Sequence, residues 1–398
     1  MTFPTIQTHR RTLLLTSVAP TTAKTGGIVL YHLAKMMPAN ALVCAVVPDR
    51  VKYSRINPDL TGIPTKYFLR LNEYPRSFIP PSLSKLIDRL YLHFLTQRLV
   101  RFAKVHQVEA VWCVLESLTQ IFLAKSVANE LGVPLLTQVW DPPSWWLRVR
   151  RVRSDYANYV LQNFDEDISR SKACAVTSWA MADTYQKKYG VPTAVLLPSL
   201  PKEQAVQPAT NLHSPDSLTI ALAGQVYADD AWECLIRALD SVQWKISNRS
   251  VTIHLFGRHD KVKPLNHPNI VKAGWTSQSQ TIQRLLEMDI LYCPYWFNPA
   301  YTEETTMSFP SKLITYFAAG RPVFYHGPKT AGPAVFLDQH HAGYVCSSQD
   351  AQGIIEGLRA LVENSEKYKN FAQAGHRAFI EFFTLESAAK SFQDFLNA

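Results

Sequence analysis

Ser308-Phe309-Pro310-Ser311-Lys312-Leu313-Ile314-Thr315-Tyr316-Phe317-Ala318-Ala319-Gly320-Arg321-Pro322-Val323 decides the reading of this chain, because it joins a polar turn, an amphipathic helix and a buried strand. Pro310 suits a first helical turn, where its missing N–H is not needed. Ser311 and Lys312 then fall where free backbone amides welcome a phosphate. Leu313, Tyr316 and Phe317 share one helical face. Ala318, Ala319 and Gly320 permit close backbone approach and end the helix, Arg321-Pro322 blocks its continuation, and Val323-Phe324-Tyr325-His326 resumes as a strand.

Outward from that segment the chain alternates apolar runs with helical patterns. The runs Leu13–Leu15, Ala41–Val47, Ala110–Val114 and Leu135–Val139 are continuous, as strands covered on both faces require. Leu83, Leu86, Ile87, Leu90, Tyr91, Phe94 and Leu95 recur at helical spacing between them. Ala173–Ser178, a helix to Gly190 and Val195–Pro198 close a first parallel, doubly wound sheet. Residues 198–217 collect Pro198, Pro201, Pro208 and Pro215 among polar residues, which is linker chemistry. Leu218–Gly224, Val251–Gly257, Asn269–Trp275 and Asp289–Pro294 then repeat the strand grammar of the first half. The fold class is α/β: two Rossmann-like domains, 1–197 and 218–375, with 198–217 between them and 376–398 as a terminal helix.

A length of 398 residues fits two such domains. The formal net charge of +9 calls for an anionic partner. The basic residues accompany no nucleic-acid motif, so nucleic acid is not the expected one. Cys44, Cys113, Cys174, Cys234, Cys293 and Cys346 form no paired or His-bearing cluster and read as buried cytosolic thiols. The Leu13–Leu15 run after His9-Arg10-Arg11 is too brief for a signal peptide and fits a strand. No stretch approaches the ~20 apolar residues that span a bilayer, so a cytoplasmic protein is expected, any membrane association being peripheral.

The 308–323 segment resembles the donor-binding signature of GT-B glycosyltransferases of the family-4 kind, and the resemblance covers both halves in order. It implies two Rossmann-like domains facing a central cleft, with the last helix crossing back to the first domain. It also implies transfer of a sugar from a nucleotide sugar to a hydroxyl of a glycan or lipid-linked acceptor, with retention, in polysaccharide or glycoconjugate biosynthesis. The donor expected is a UDP- or GDP-sugar. No metal or other cofactor is expected.

Ligands of open α/β sheets gather at the carboxyl ends of the strands. Gly26 and Gly27, opening a helix after the first strand, match the amino-terminal loop of the family. Gly224 matches the glycine beneath the donor diphosphate, although Gln225-Val226-Tyr227-Ala228-Asp229-Asp230 stands where relatives carry basic residues. The phosphate charge then falls to Lys312, Ser311 and Arg258. Trp275 stands where relatives hold the nucleobase. Met307 and Thr315 occupy the positions of two glutamates in many relatives, so Thr315 is left with a hydroxyl for the ribose. Glu304, beside Glu303, and Asp141, after a first-half strand, are the expected catalytic residues at the sugar and acceptor. Asp141 also suits a turn or cap and Glu304 a solvated acidic pair.

Trp145-Trp146 beside Arg148, Arg150, Arg151 and Arg153 pairs interface-seeking indoles with cations. With Lys85, Arg89, Arg98, Arg101 and Lys104 it suggests peripheral contact with an anionic membrane. Two rival readings share the fold: a non-catalytic relative that binds glycan or protein, motivated by Thr315, and a nucleotide-sugar 2-epimerase.

Overall fold

The computed structural model describes residues 2–8, 10–22, 25–48, 55–70, 81–257 and 267–398. It divides into one unit of Met1–Pro198 with Leu385–Ala398 and a second of Ser199–Thr384.

In the first unit the strands are β1 (Thr12–Thr16), β2 (Leu42–Val46), β3 (Thr65–Tyr67), β4 (Ala110–Val114), β5 (Leu135–Gln138), β6 (Ala173–Val176) and β7 (Thr193–Val195). They form one sheet in the order β3-β2-β1-β4-β5-β6-β7, every pair parallel. Parallel strands need crossovers, and the chain supplies α1 (Thr25–Met36), α2 (Pro81–Val105), α3 (Leu118–Leu131), α4 (Pro143–Val149), α5 (Ser154–Arg170) and α6 (Trp179–Tyr189). Every residue of β1, β2 and β4 is buried, the two-sided burial that their unbroken apolar runs require. β3 is half-buried and exposed at the sheet edge, which is why its Thr-Lys-Tyr sequence carries no apolar signal.

The second unit holds β8 (Ser217–Ala223), β9 (Lys245–Ile246), β10 (Arg249–Phe256), β11 (Ile270–Gly274), β12 (Ile290–Pro294), β13 (Val323–His326) and β14 (Tyr344–Cys346). The order is β11-β10-β8-β12-β13-β14, with β9 pairing β10 in the antiparallel sense. The helices are α7 (Asp229–Ser241), α8 (Gln278–Leu285), α9 (Thr302–Met307), α10 (Lys312–Ala318), α11 (Gly332–Gln339), α12 (Ala351–Val362) and α13 (Ser365–Phe382).

Two segments depart from the sequence reading. The proline-rich stretch expected to be a linker packs onto the second unit. Val206 N–H donates to Ala318 O and Ala209 N–H to Gly320 O, each at 2.8 Å. A Cβ on Gly320 would sit 3.0 Å from the Gln207 carbonyl, so that close approach, with φ of +66°, requires glycine. The returning helix is α14 (Leu385–Leu396), and residues 376–384 stay with the second unit. Phe392, Phe395 and Leu396 of α14 are buried with Leu14, Trp112 and Ala173 of the first unit. Phe392 lies 5.1 Å from Trp112. Each such side chain contributes roughly 1.5–3 kcal/mol on burial, enough to commit a twelve-residue helix to that sheet.

Candidate active site

The decisive segment folds as polar turn, helix and strand. α10 begins at Lys312, with Ser311 at the position before it making no side-chain capping bond. Pro310 therefore lies just outside the helix, not in its first turn, and its carbonyl accepts from Leu313 N–H at 3.0 Å. The Tyr316 hydroxyl accepts from Ala223 N–H at 2.8 Å and donates to Tyr292 O at 3.0 Å. One phenol thus ties α10 to the carboxyl end of β8 and to the middle of β12. Upstream, the Ser308 hydroxyl donates to Glu304 O and pairs with the Tyr295 hydroxyl, both at 2.5 Å. These bonds fix where Ser311 and Lys312 emerge.

Lys312 is 8% exposed. Its ammonium donates to the Gln225 carbonyl at 2.9 Å and lies 4.3 Å from the centroid of the Tyr227 ring. Burial lowers its pKa to about 8, with the neighbouring Cys293 acting weakly in the other direction. Gly224, one residue before Gln225, has φ of +82°, a left-handed conformation that glycine adopts without strain. Its N–H donates to Phe256 O at 2.9 Å. Gly224, Gln225, Ser311 and Lys312 thus come together at the carboxyl end of β8, with Thr315 half-buried one turn further along α10.

The other predicted residues of this unit are spread around that end of the sheet. Trp275 follows β11 and is 74% exposed, so it is not a core indole. Glu304 lies on α9 and is 4% exposed; it does not belong to a solvated acidic pair. Arg258 lies outside the described residues. Two residues that sequence reasoning missed order the same loops. Asp230 accepts from the Phe297 and Asn298 amides at 2.7 and 2.9 Å. Tyr227 packs on Lys312 as above. Asp230 carried a signal, an acidic residue opening a helix; Tyr227 carried none.

In the first unit, Gly26 and Gly27 open α1 after β1, and Asp141 is exposed on the bend after β5. A Cβ on Gly26 would sit 2.5 Å from the Trp140 ring, and one on Gly27 2.5 Å from Thr21 Cγ2. Trp140, the residue before Asp141, therefore packs on the Gly26 turn. At both positions the missing Cβ makes room for protein side chains. Glu116, also missed, is raised by burial and accepts from Ser17 N–H at 2.8 Å and Thr16 hydroxyl at 2.9 Å. It holds the start of the β1 loop to the end of β4.

The Trp145-Trp146 pair is turned inward: Trp146 is 7% exposed and Trp145 half-buried. Arg148, Arg150, Arg151 and Arg153 are exposed, Arg153 paired with Asp155 at 2.6 Å. The exposed apolar residues include Val149, beside those arginines, at 57%, and a row on α2, Leu86, Leu90 and Phe94, at 53, 64 and 58%. No helix among the described residues is long and apolar enough to cross a membrane. No group of His, Cys, Asp and Glu suited to a metal ion occurs among the described residues. The six cysteines are buried and unpaired, and burial pushes the thiols of Cys44, Cys174 and Cys293 up to about 12, which removes them as nucleophiles.

Residues 217–364, the span that holds Gly224, Lys312 and Thr315, match the family described as Glycosyl transferases group 1. The chain resembles Anabaena HepE, solved in complex with UDP, at a TM-score of 0.66 and 14% identity over 97% of this chain and 99% of that one. It resembles sucrose-phosphate synthase from Thermosynechococcus elongatus at 0.65 and 14%, over 98% of both chains. It resembles WaaG, a glycosyltransferase involved in lipopolysaccharide biosynthesis, at 0.57 and 12%, over 95% and 98%. Residues 217–364 thus match a group 1 glycosyltransferase domain, and the whole chain has the GT-B fold. A search of curated protein sequences gives no match. The matched span is the one that holds the buried lysine, and the first unit lies outside the match.

Proposed function

We propose that the protein moves a sugar from a UDP- or GDP-sugar to a hydroxyl of a glycan or lipid-linked acceptor, with retention, in polysaccharide or glycoconjugate biosynthesis. The observation that carries this reading is the Lys312 ammonium, buried and held at 2.9 Å on the Gln225 carbonyl beside the open Gly224 turn. A cation fixed there neutralises charge that grows on the diphosphate as the sugar leaves, and it does so without reorganising. Ser311 adds a hydroxyl at the phosphates, Thr315 takes the ribose, and exposed Trp275 stacks on the base. Asp141 and Glu304 serve the sugar and acceptor as hydrogen-bond acceptors. Neighbouring structures with UDP or UDP-2-fluoro glucose bound support a uridine donor.

Peripheral contact with an anionic cytoplasmic membrane face belongs to the same reading. Its support is α2, where Leu86, Leu90 and Phe94 lie four residues apart beside exposed Arg89, Arg98, Arg101 and Lys104.

The test is a thermal-shift screen with UDP-, GDP-, ADP- and CMP-sugars on the native chain and on Lys312→Ala. A ligand that binds only the folded state raises the melting temperature. One nucleotide class is expected to shift the native chain. Lys312→Ala is expected to weaken that binding roughly 10- to 100-fold, the scale of a charge-assisted hydrogen bond. Equal binding by Lys312→Ala would remove the lysine from the donor site. No shift with any nucleotide would favour the non-catalytic relative, with Thr315 in place of a carboxylate as its cause.

A further inference from the structure

The loop after β8 carries Tyr227, which the donor chemistry above does not use. Its ring lies on the Lys312 ammonium at 4.3 Å, while the Gln225 carbonyl accepts from the same Nζ at 2.9 Å. The ring is itself wedged by Trp296 at 4.7 Å and Tyr295 at 5.9 Å between centroids. Packing fixes it, because its buried hydroxyl makes no hydrogen bond among the described residues. An aromatic face attracts an ammonium without occupying its protons. Of the three N–H donors of Lys312, one goes to Gln225, and no other acceptor among the described residues takes the remaining two, which leaves them for an incoming anion.

We propose that Tyr227 is a positioning residue of the donor site: its ring holds Lys312 Nζ at the carboxyl end of β8 and keeps water from it, so that one desolvated cation serves the diphosphate in a loop with no second cation of its own. The inference rests on the donor-site reading above. A charge removed from water acts on phosphate more strongly than a hydrated one. The cost is a less stable charged form, and Lys312 accordingly falls to about 8 through burial. Among the described residues, the titratable groups that face it are neutral at pH 7. Cys293 from β12 is pushed up to about 12. Burial raises Tyr227 and the nearby phenols Tyr316 from α10 and Tyr325 from β13. No carboxylate forms an ion pair with Lys312 among the described residues.

Tyr227→Phe keeps the ring and removes the hydroxyl; Tyr227→Leu removes the ring; Tyr227→Trp keeps an aromatic face if the leucine variant does not fold. Each is titrated without ligand by NMR at the lysine ε-carbons, with Lys312→Arg assigning the resonance. Each is then titrated calorimetrically with UDP and with GDP. The phenylalanine and tryptophan variants are expected to keep the native midpoint near 8 and affinity within about twofold. Tyr227→Leu is expected to raise the midpoint by about one unit or more as water reaches the ammonium. Its affinity at pH 7 should fall about three- to tenfold. A leucine variant with the native midpoint and native affinity overturns the proposal. So does a phenylalanine variant that behaves like leucine, which would give the role to the hydroxyl, and so does a tryptophan variant that loses both. If the native chain binds neither nucleotide, the donor reading fails, and the ligand-free midpoints still decide whether the ring shields Lys312.

Discussion

The turns after β1 and after β8 occupy corresponding places in the two sheets, and both are built on glycine, yet for opposite reasons. After β1, neither Gly26 nor Gly27 has a positive φ. They are small because Trp140 and Thr21 crowd them. After β8, Gly224 has nothing within 4 Å of where a Cβ would stand, and its requirement is the backbone angle, φ +82°. The first pair of glycines packs against side chains of its own unit; Gly224 is open beside a buried cation. The same residue type in the same sheet position thus carries two different messages, one of close packing and one of backbone conformation.

That contrast is broken or kept by alanine. Gly27→Ala forces a contact of 2.5 Å with Thr21 Cγ2 and is expected to cost about 1–3 kcal/mol of stability, as overpacking does. Thr21→Ser removes that methyl, so the double variant should recover most of the loss in chemical denaturation. Gly224→Ala is expected to cost about 1–2 kcal/mol through its left-handed backbone, with no neighbouring side chain whose trimming restores it. If Thr21→Ser fails to rescue Gly27→Ala, the first turn needs its glycine for something other than packing.

Much of this was legible in the sequence because burial writes itself as composition. The unbroken apolar runs gave β1, β2, β4 and β5, and the amphipathic face gave α10. Strands that lie at sheet edges or are only two or three residues long, β3, β9 and β14, expose half their residues or have no room for a pattern. The packing of residues 206–209 on Gly320 was invisible because proline and polar residues read as linker whether or not their amides find partners. At the site, Lys312 was legible from its motif. Tyr227 was not, since an aromatic residue next to a cation 85 positions away in the chain leaves no local trace. The inward turn of Trp146 was hidden for the same reason.

Electrostatics sharpens the second half of the comparison. Lys312 has a folded-state pKa near 8, below the ordinary value, so the native state prefers it neutral. Its burial penalty is fully present below pH 8 and is relieved as pH rises toward the unfolded value. Ligand binding reverses this, because a diphosphate anion favours the charged form and raises the pKa. Affinity for a nucleotide sugar, whose phosphates do not titrate in this range, is therefore expected to be flat below pH 7. It should fall about tenfold toward pH 9 with uptake of a proton. Calorimetry in buffers of different ionisation enthalpy reads that proton directly. Affinity that is level from pH 7 to 9 would mean that Lys312 does not meet the phosphates.

The smallest expected effect concerns the outer face of the first unit, where the sequence pointed to one pair of aromatic residues and the structure exposes another set. Trp146 is buried, so changing it should lower stability before it changes any membrane contact. Leu90 and Phe94 are exposed on α2 and contribute little to the core. Leu90→Ser with Phe94→Ser is therefore expected to leave the melting temperature within a few degrees and to weaken partition into phosphatidylserine-containing vesicles about three- to tenfold. High salt should weaken the native chain's binding as well, because the flanking Arg89, Arg98 and Arg101 act through a screened field. Serine variants that sediment with vesicles as the native chain does would show that α2 is not the docking face. The exposed arginines that follow α4, which need no apolar insertion, would then be the surface to test.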